Sequence, residues 1–234
     1  MDKRVGIIQS NYIPWKGYFD FIASVDEFVL LDEVQYTRRD WRNRNKVKTA
    51  NGLQWLTIPV DVSGKYTQRI DETRIADPAW ADEHLTTLRH VYGRAPHAKA
   101  EWPWIEALYS HARELPLLTA VNESFIRAIA ERLGISTKIT RSSEYRTTGG
   151  KNERLLEICR QAGASTYLSG PAAAGYLDPA MWREHGIELE FKTYEGYPEY
   201  PQIHGAFEHG VTILDLFFNV GEDAKDYFRE SKNA

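Results

Sequence analysis

The fold class this sequence predicts is an open, mostly parallel α/β sheet with flanking helices, a β-hairpin after the second strand and a helical insertion in the middle. Three observations lead there. Strand and helix patterns alternate in the first third of the chain, at residues 5–31, and again in the last third, at residues 137–191. Between them, the turn dipeptide Asn51-Gly52 separates two strand-like runs. Residues 78–133 then carry helical spacing with no strand pattern.

Residues 5–8, VGII, form a continuous apolar run of strand length. Gly17 opens a short helix over 18–23, and 27–31 is a second strand. So tight a crossover is right-handed, which makes the two strands parallel and puts the loop after the first at their carboxyl edge, where Asp32 ends the second. Residues 47–49 and 54–60 pair as a hairpin, with Asn-Gly supplying the positive backbone angles of its turn. Helices are predicted over 79–91, 104–115 and 117–133, divided by 93–103 and by Pro116. Alternation then resumes as a strand at 137–140, a helix at 152–162, a strand at 166–168, a helix at 179–184 and a strand at 187–191. The expected organisation is one α/β domain over 1–234, with 78–133 inserted within it.

With 234 residues, 42% of them hydrophobic, the chain can bury one sizeable core. Its 29 basic and 33 acidic residues leave a net charge of −4, so there is no global attraction for nucleic acid or anionic membrane and any anion binding has to be local. Cys159 is the sole cysteine, which excludes an internal disulfide and a multi-cysteine zinc site; within LLEICRQAG it reads as core filling. The seven histidines show no paired metal spacing, and neither GxxxxGK[ST], GxGxxG nor HExxH occurs, so no metal and no P-loop is expected. The N-terminus lacks a basic region followed by a long apolar one, and no apolar run approaches the ~20 residues of a bilayer span. A cytoplasmic location without a membrane span is the expectation.

Polar punctuation between an apolar strand and a helix is where such folds carry binding loops. Gln9, Asn11, Tyr12, Pro14, Trp15 and Gly17 fall there. Farther on come Arg38, Arg39, Arg42, Arg44, Lys46 and Lys48, with Asp40 the one acid among them and Gln35, Tyr36, Trp41 and Asn43 interleaved. Three readings fit this basic stretch. It is a solvated edge whose charge discourages aggregation, a phosphate site with Trp41 as a stacking face, or an RNA contact, against which the short patch and acidic whole weigh. Under the phosphate reading Asn11, Tyr12, Trp15, Gln35, Tyr36, Arg38, Asp40, Trp41, Arg42, Asn43, Arg44 and Lys46 bind substrate, while Gln9 and Asp32 position or deprotonate an attacking group.

Two further loops qualify. In SGPAAAG, Ser169 and Gly170 either let a ligand approach the backbone closely or simply cap a helix that starts at Pro171. Thr148, Gly149, Gly150 and Lys151 offer free amides before a helix. Residues 194–207, YEGYPEYPQIHGAF, have no period and read as a structured loop in which Tyr200 and Gln202 could hydrogen-bond a sugar or amino acid. His204 is the general-base candidate by its ordinary pKa range.

The segments QSNYIPWKGYFDFIASVDEF, DEVQYTRRDWRNRNKVKT, KNERLLEIC, TYLSGPAAAGYL, YPEYPQIHGAF and TILDLFFNVG closely resemble successive blocks of the WbqC-like protein family, over nearly the whole chain. That resemblance implies a setting in bacterial O-antigen and other surface-polysaccharide biosynthesis, and with it the decoration of amino sugars by an amino-acid or other acyl group. The opening strand–loop–helix–strand unit is also similar to that of nucleotidylyltransferases and class I synthetases, which makes ATP a candidate cofactor. Gln9, Asn11 and Trp15 stand where those enzymes would have the two histidines of an HxGH-type motif, and no KMSKS-like segment is present. The expected activity is acyl or aminoacyl transfer to a nucleotide-linked amino sugar, or to another small phosphorylated ligand. Noncatalytic sugar-nucleotide binding beside a glycosyltransferase is the alternative, and transfer from charged tRNA is a further one.

Overall fold

The computed structural model describes residues 2–229. Five strands form a sheet in the order β5-β2-β1-β6-β7: β1 (Arg4–Ile8), β2 (Glu27–Leu30), β5 (Lys138–Arg141), β6 (Thr166–Ser169) and β7 (Glu188–Phe191). Every pairing among them is parallel, with Val5 opposite Glu27 and Tyr167 opposite both Val5 and Leu189. The chain runs outward from β1 through β2 to β5, then crosses back to the far side of β1. Strand order therefore reverses between β1 and β6, and the crevice at their carboxyl ends is where open sheets of this kind bind ligands.

Period-two alternation sorts apolar side chains to the two faces of the sheet. Phe28 and Leu30 of β2 face a large core shared with α1 (Lys16–Ala23), α2 (Trp80–Tyr92), α3 (Ala98–Ala112), α4 (Leu118–Arg132) and α7 (Ile213–Val220). Val29, with Val5 and Ile7 of β1, faces a smaller core closed by α5 (Lys151–Gln161) and α6 (Pro179–Glu184). Cys159 is fully buried in this second core, and burial pushes its thiol pKa up, which suits packing rather than reactivity.

Three elements differ from the sequence expectation. The hairpin, β3 (Arg44–Thr49) with β4 (Gly52–Thr57), starts three residues earlier than expected, because Asn45 is buried beside Val47 and acts as an inward residue of the alternation. Thr49 pairs with Gly52, so Ala50 and Asn51 make the turn and Gly52 alone takes a positive φ, of 105°. Helix α3 begins at Ala98 and carries Pro103 inside it. Packing outweighs the donor lost to the proline: Trp102 lies 5.0 Å from Phe218, and the buried Glu101 binds Arg132 at 2.7 Å. No element was expected after 207, yet α7 forms from ILDLFFNV with all eight residues buried. Asp215 and Asn219, one turn apart, interrupt its apolar run, but both are buried, so no solvated face marks a period.

Helix α7 ends at Gly221, whose φ is 61° and where a Cβ would lie 2.3 Å from His97 Nδ1. Replacing Gly221→Ala is expected to lower stability by about 2 kcal/mol or more, through backbone strain and this clash together. Gly175→Ala, with nothing within 4 Å of the added carbon, should stay within ~0.5 kcal/mol. Urea denaturation midpoints of the two variants check the contrast.

Candidate functional site

The loop after β1 is fixed from three sides. The Tyr12 amide donates to Trp41 O at 3.0 Å, and the Asn45 side-chain amide donates to Tyr12 O at 3.0 Å and Ile13 O at 2.8 Å, which holds Ile13 at a φ of 33°. Asn122 on α4 donates to Ser10 Oγ at 3.0 Å and to Arg42 O at 2.9 Å. Asp32 accepts from the Ser10 amide at 2.8 Å with one carboxylate oxygen and from the Thr119 hydroxyl with the other. The Arg42 guanidinium donates to Asn11 Oδ1 and lies 3.5 Å from Asp40. Burial would raise the Asp40 pKa, but the Thr37 hydroxyl and the Arg42 charge hold it below the usual carboxylate range.

Between loop and hairpin opens a cavity of about 370 Å³, walled by Asn11, Pro14, Trp15, Trp41, Asn45 and His209. On its outer side the hairpin presents Trp55 directly opposite Lys46 in the strand register. The Trp41 and Trp55 rings are 5.4 Å apart, and each tryptophan is 40% exposed. The Lys46 ammonium sits 5.0 Å from the Trp55 ring and 5.6 Å from Trp41, and the Arg44 guanidinium stacks 4.1 Å from Trp55. Among the described residues neither cation forms an ion pair within 4 Å, and Arg44 Nε has no hydrogen-bond partner. Positive charge held on aromatic faces without a carboxylate can bind a phosphate, while the rings take a base or sugar.

Behind the inner wall lies Lys16, buried at the start of α1. Its ammonium donates to Pro198 O at 2.6 Å and is surrounded by the rings of Tyr197, Tyr200, Phe207 and Tyr227, at 5.5, 5.1, 5.8 and 5.9 Å. Burial brings its pKa down to about 8, against the pull of Asp20 and Glu199. His209 stands edge-on to Phe207 at 4.5 Å; burial and the Lys16 charge lower its pKa, against Glu199 and Glu208.

The fold thus brings Asn11, Trp15 and Trp41 to the cavity wall, with Arg42 bonded to Asn11 and with Arg44 and Lys46 on the indole faces beside it. The remaining residues named from the sequence lie in supporting or separate positions. Gln9 presents its carbonyl to the Tyr18 hydroxyl at 3.0 Å, and Asn43 donates to Ile58 O at 2.8 Å. Gln35 and Arg38 reach the 62–66 loop, bonding Tyr66 O and Val62 O, while the buried Tyr36 bonds Gln68 O through its amide. Tyr200 and Gln202 bind the buried Asp215, each at 2.8 Å. His204 Nε2 donates to Val91 O at 3.2 Å. Ser169 and Gly170 end β6 on the other side of the strand reversal, with Gly170 preceding a short 3-10 helix that opens at Pro171, as the capping alternative has it. In the Thr148–Lys151 loop the Glu157 carboxylate already takes the Thr148 amide at 2.6 Å and its hydroxyl at 2.9 Å, so an anion there would have to compete with it.

Four residues at this site escaped the sequence reading: Lys16, Asn45, Trp55 and His209. Trp55 was within reach, since pairing 44–49 with 52–57 puts it opposite Lys46. The others depend on long-range packing. Among the described residues no group of three or more His, Cys, Asp or Glu side chains is placed to hold a metal ion, and no helix is long and apolar enough to cross a membrane.

The profile of the WbqC-like protein family matches residues 9–227. This chain belongs to that family. It is 47% identical over 227 residues to "Uncharacterized protein Rv1507c" of Mycobacterium tuberculosis, an alignment covering 97% of this chain and 98% of that one. No solved structure matches it. The WbqC-like match opens at Gln9, on the loop that walls the cavity, and closes at Tyr227, one of the rings around Lys16.

Tyr12 itself is fully buried beneath the loop, in a relay whose direction can be assigned. His84 Nε2 lies 3.2 Å from Thr57 O and must donate to it; Nδ1 then accepts from the Tyr12 hydroxyl at 2.8 Å, which in turn accepts from Tyr109 at 2.6 Å. Burial lowers the His84 pKa from 6.5 to about 4. The unfolded chain therefore binds this proton more readily than the fold, and the relay's contribution is intact above pH 6.5 and lost as pH falls toward 4. Stability should drop by about 3 kcal/mol across that window. In His84→Gln that part of the slope should vanish, as read from urea midpoints at stepped pH.

Proposed function

We propose that this protein transfers an acyl or aminoacyl group to a nucleotide-linked amino sugar in bacterial surface-polysaccharide biosynthesis. The observation that carries the reading is the Trp41–Trp55 pair with Arg44 and Lys46 on its faces, beside a cavity of about 370 Å³. Arg44 and Lys46 would take the phosphates, the indole faces the base, and the cavity the amino sugar. A carboxyl-edge position and membership of the WbqC-like family support the same assignment. A noncatalytic sugar-nucleotide carrier is the second reading, favoured by the commitment of both Asp32 carboxylate oxygens to hydrogen bonds.

Tryptophan fluorescence should be quenched by UDP-glucosamine and by dTDP-linked amino sugars. Charge reversal of Arg44 and Lys46 together should weaken binding at least tenfold, about 1.4 kcal/mol, with the fold unchanged by circular dichroism. Equal affinity in the double variant would remove the phosphate assignment. Mass spectrometry of the sugar after incubation with ATP and glycine, or with charged tRNA, separates enzyme from carrier: a mass increase marks transfer, and binding without one marks the carrier.

A further inference from the structure

His209 faces the same cavity from the loop that precedes α7. Neither of its ring nitrogens makes a hydrogen bond to a described residue, and Nδ1 is shut away from water without a partner. A buried polar atom left unpaired costs about 1–3 kcal/mol; since Nδ1 is closed off, a ligand in the cavity would meet the ring through Nε2, which has no partner among the described residues. The ring is nonetheless held in place, packed edge-on to Phe207 at 4.5 Å, while Glu208 ties the Gly210 amide at 2.7 Å. His204, five residues before it, and His84 each have a nitrogen on a backbone carbonyl.

The charges acting on His209 are unequal. Lys16 approaches from α1, with its ammonium boxed in by four rings and a carbonyl; Glu199 and Glu208 lie on its own loop. Arg42 and Lys46 border the cavity through Asn11 and Trp41. Burial and Lys16 both oppose protonation, and the two glutamates offset them in part. A neutral imidazole in a cavity is what accepting a proton requires.

Resting on the nucleotide-sugar reading above, we infer that His209, which lines this cavity with no hydrogen-bond partner among the described residues, is the proton acceptor for the sugar amine there. In the transfer, the amine nitrogen forms a bond to the acyl carbon of an activated ester or thioester donor. The bond from that carbon to the donor's oxygen or sulfur breaks, and its electron pair leaves on that atom. The proton shed by the nitrogen passes to the imidazole. Asp32 and His204 are thereby relieved of the role: the first has both oxygens occupied, and the second lines a different part of the molecule's interior.

The test is ring ¹⁵N NMR of the full chain, with the His209 signal identified by its loss in His209→Gln. His209 is expected to titrate below pH 6.5 in the free protein. Saturating UDP-glucosamine should shift its ring nitrogens, while UDP-glucose, with a hydroxyl in place of the amine, should bind through the same tryptophans and shift them less. A midpoint at or above the ordinary histidine value overturns the inference without any ligand. Tryptophan quenching by UDP-glucosamine with no response at His209 overturns the inference and leaves the binding reading standing. Quenching by neither nucleotide overturns both.

Discussion

Two hydrogen bonds from one side chain hold the carboxyl edge together. The Asn45 amide reaches from the hairpin to the carbonyls of Tyr12 and Ile13, and its own oxygen accepts the Lys46 amide at 2.8 Å. Removing that side chain would leave two buried carbonyls unpaired, each costing about 1–3 kcal/mol. The junction does more than stabilise. A hairpin outside the main sheet has no ladder to fix its position, so its placement beside β1 rests on such side-chain contacts and on a few backbone bonds, among them Tyr12 to Trp41 and Thr212 to Lys46. The cavity is the space this junction leaves open, and the basic arm reaches the sheet edge because β3 continues from it.

Within that frame, two kinds of cation are kept apart. Arg44 and Lys46 lie on half-exposed indole faces with no acid within 4 Å among the described residues. Cation–π contacts hold them without cancelling their charge, so they remain available to an anion. Lys192 follows the opposite rule. It is buried with Asp20 at 2.9 Å, and Ser24 and Tyr197 bond the same pair, so its charge is spent inside the fold. Lys16 lies between these cases, buried among π faces and a carbonyl, where it costs desolvation yet still projects its field onto His209.

What the sequence could reveal follows from the range of each interaction. The parallel sheet was legible because short strand patterns, apolar in β1 and β2 and more mixed in β5 and β7, are divided by helices of ordinary period, and each boundary fell within a residue or two of expectation. The loop after β1 and the basic arm were legible as a site because composition alone separates them from core. Asn45 was not, since an asparagine in a basic stretch looks solvated until the chain folds and it meets two carbonyls. His209 was hidden similarly. His204 and His209 sit in the same turn-rich segment, and only the packing of that segment decides which of the two meets the cavity.

That packing is set by Asp215. As a carboxylate in the first turn of the buried, mostly apolar α7, it accepts from Tyr92 at 2.9 Å and from Tyr200 and Gln202 at 2.8 Å, while burial pushes its pKa up. Tyr92 belongs to the helical insertion, Tyr200 and Gln202 to the irregular tail loop, so one buried acid joins three otherwise unrelated parts. Lys48 extends the link to the hairpin through Gln202 Oε1 at 2.6 Å. An apolar residue at 215 would pack without the desolvation cost but would leave the buried Tyr92 and Tyr200 hydroxyls without this acceptor and cut the tail loop's tie to α7, with Gln202 held only by Glu208, Tyr200 and Lys48. The tail loop carries Pro198 and Phe207, which box Lys16, and His209, which faces the cavity. A buried acid that costs desolvation locally is therefore what holds the far wall of the site in place.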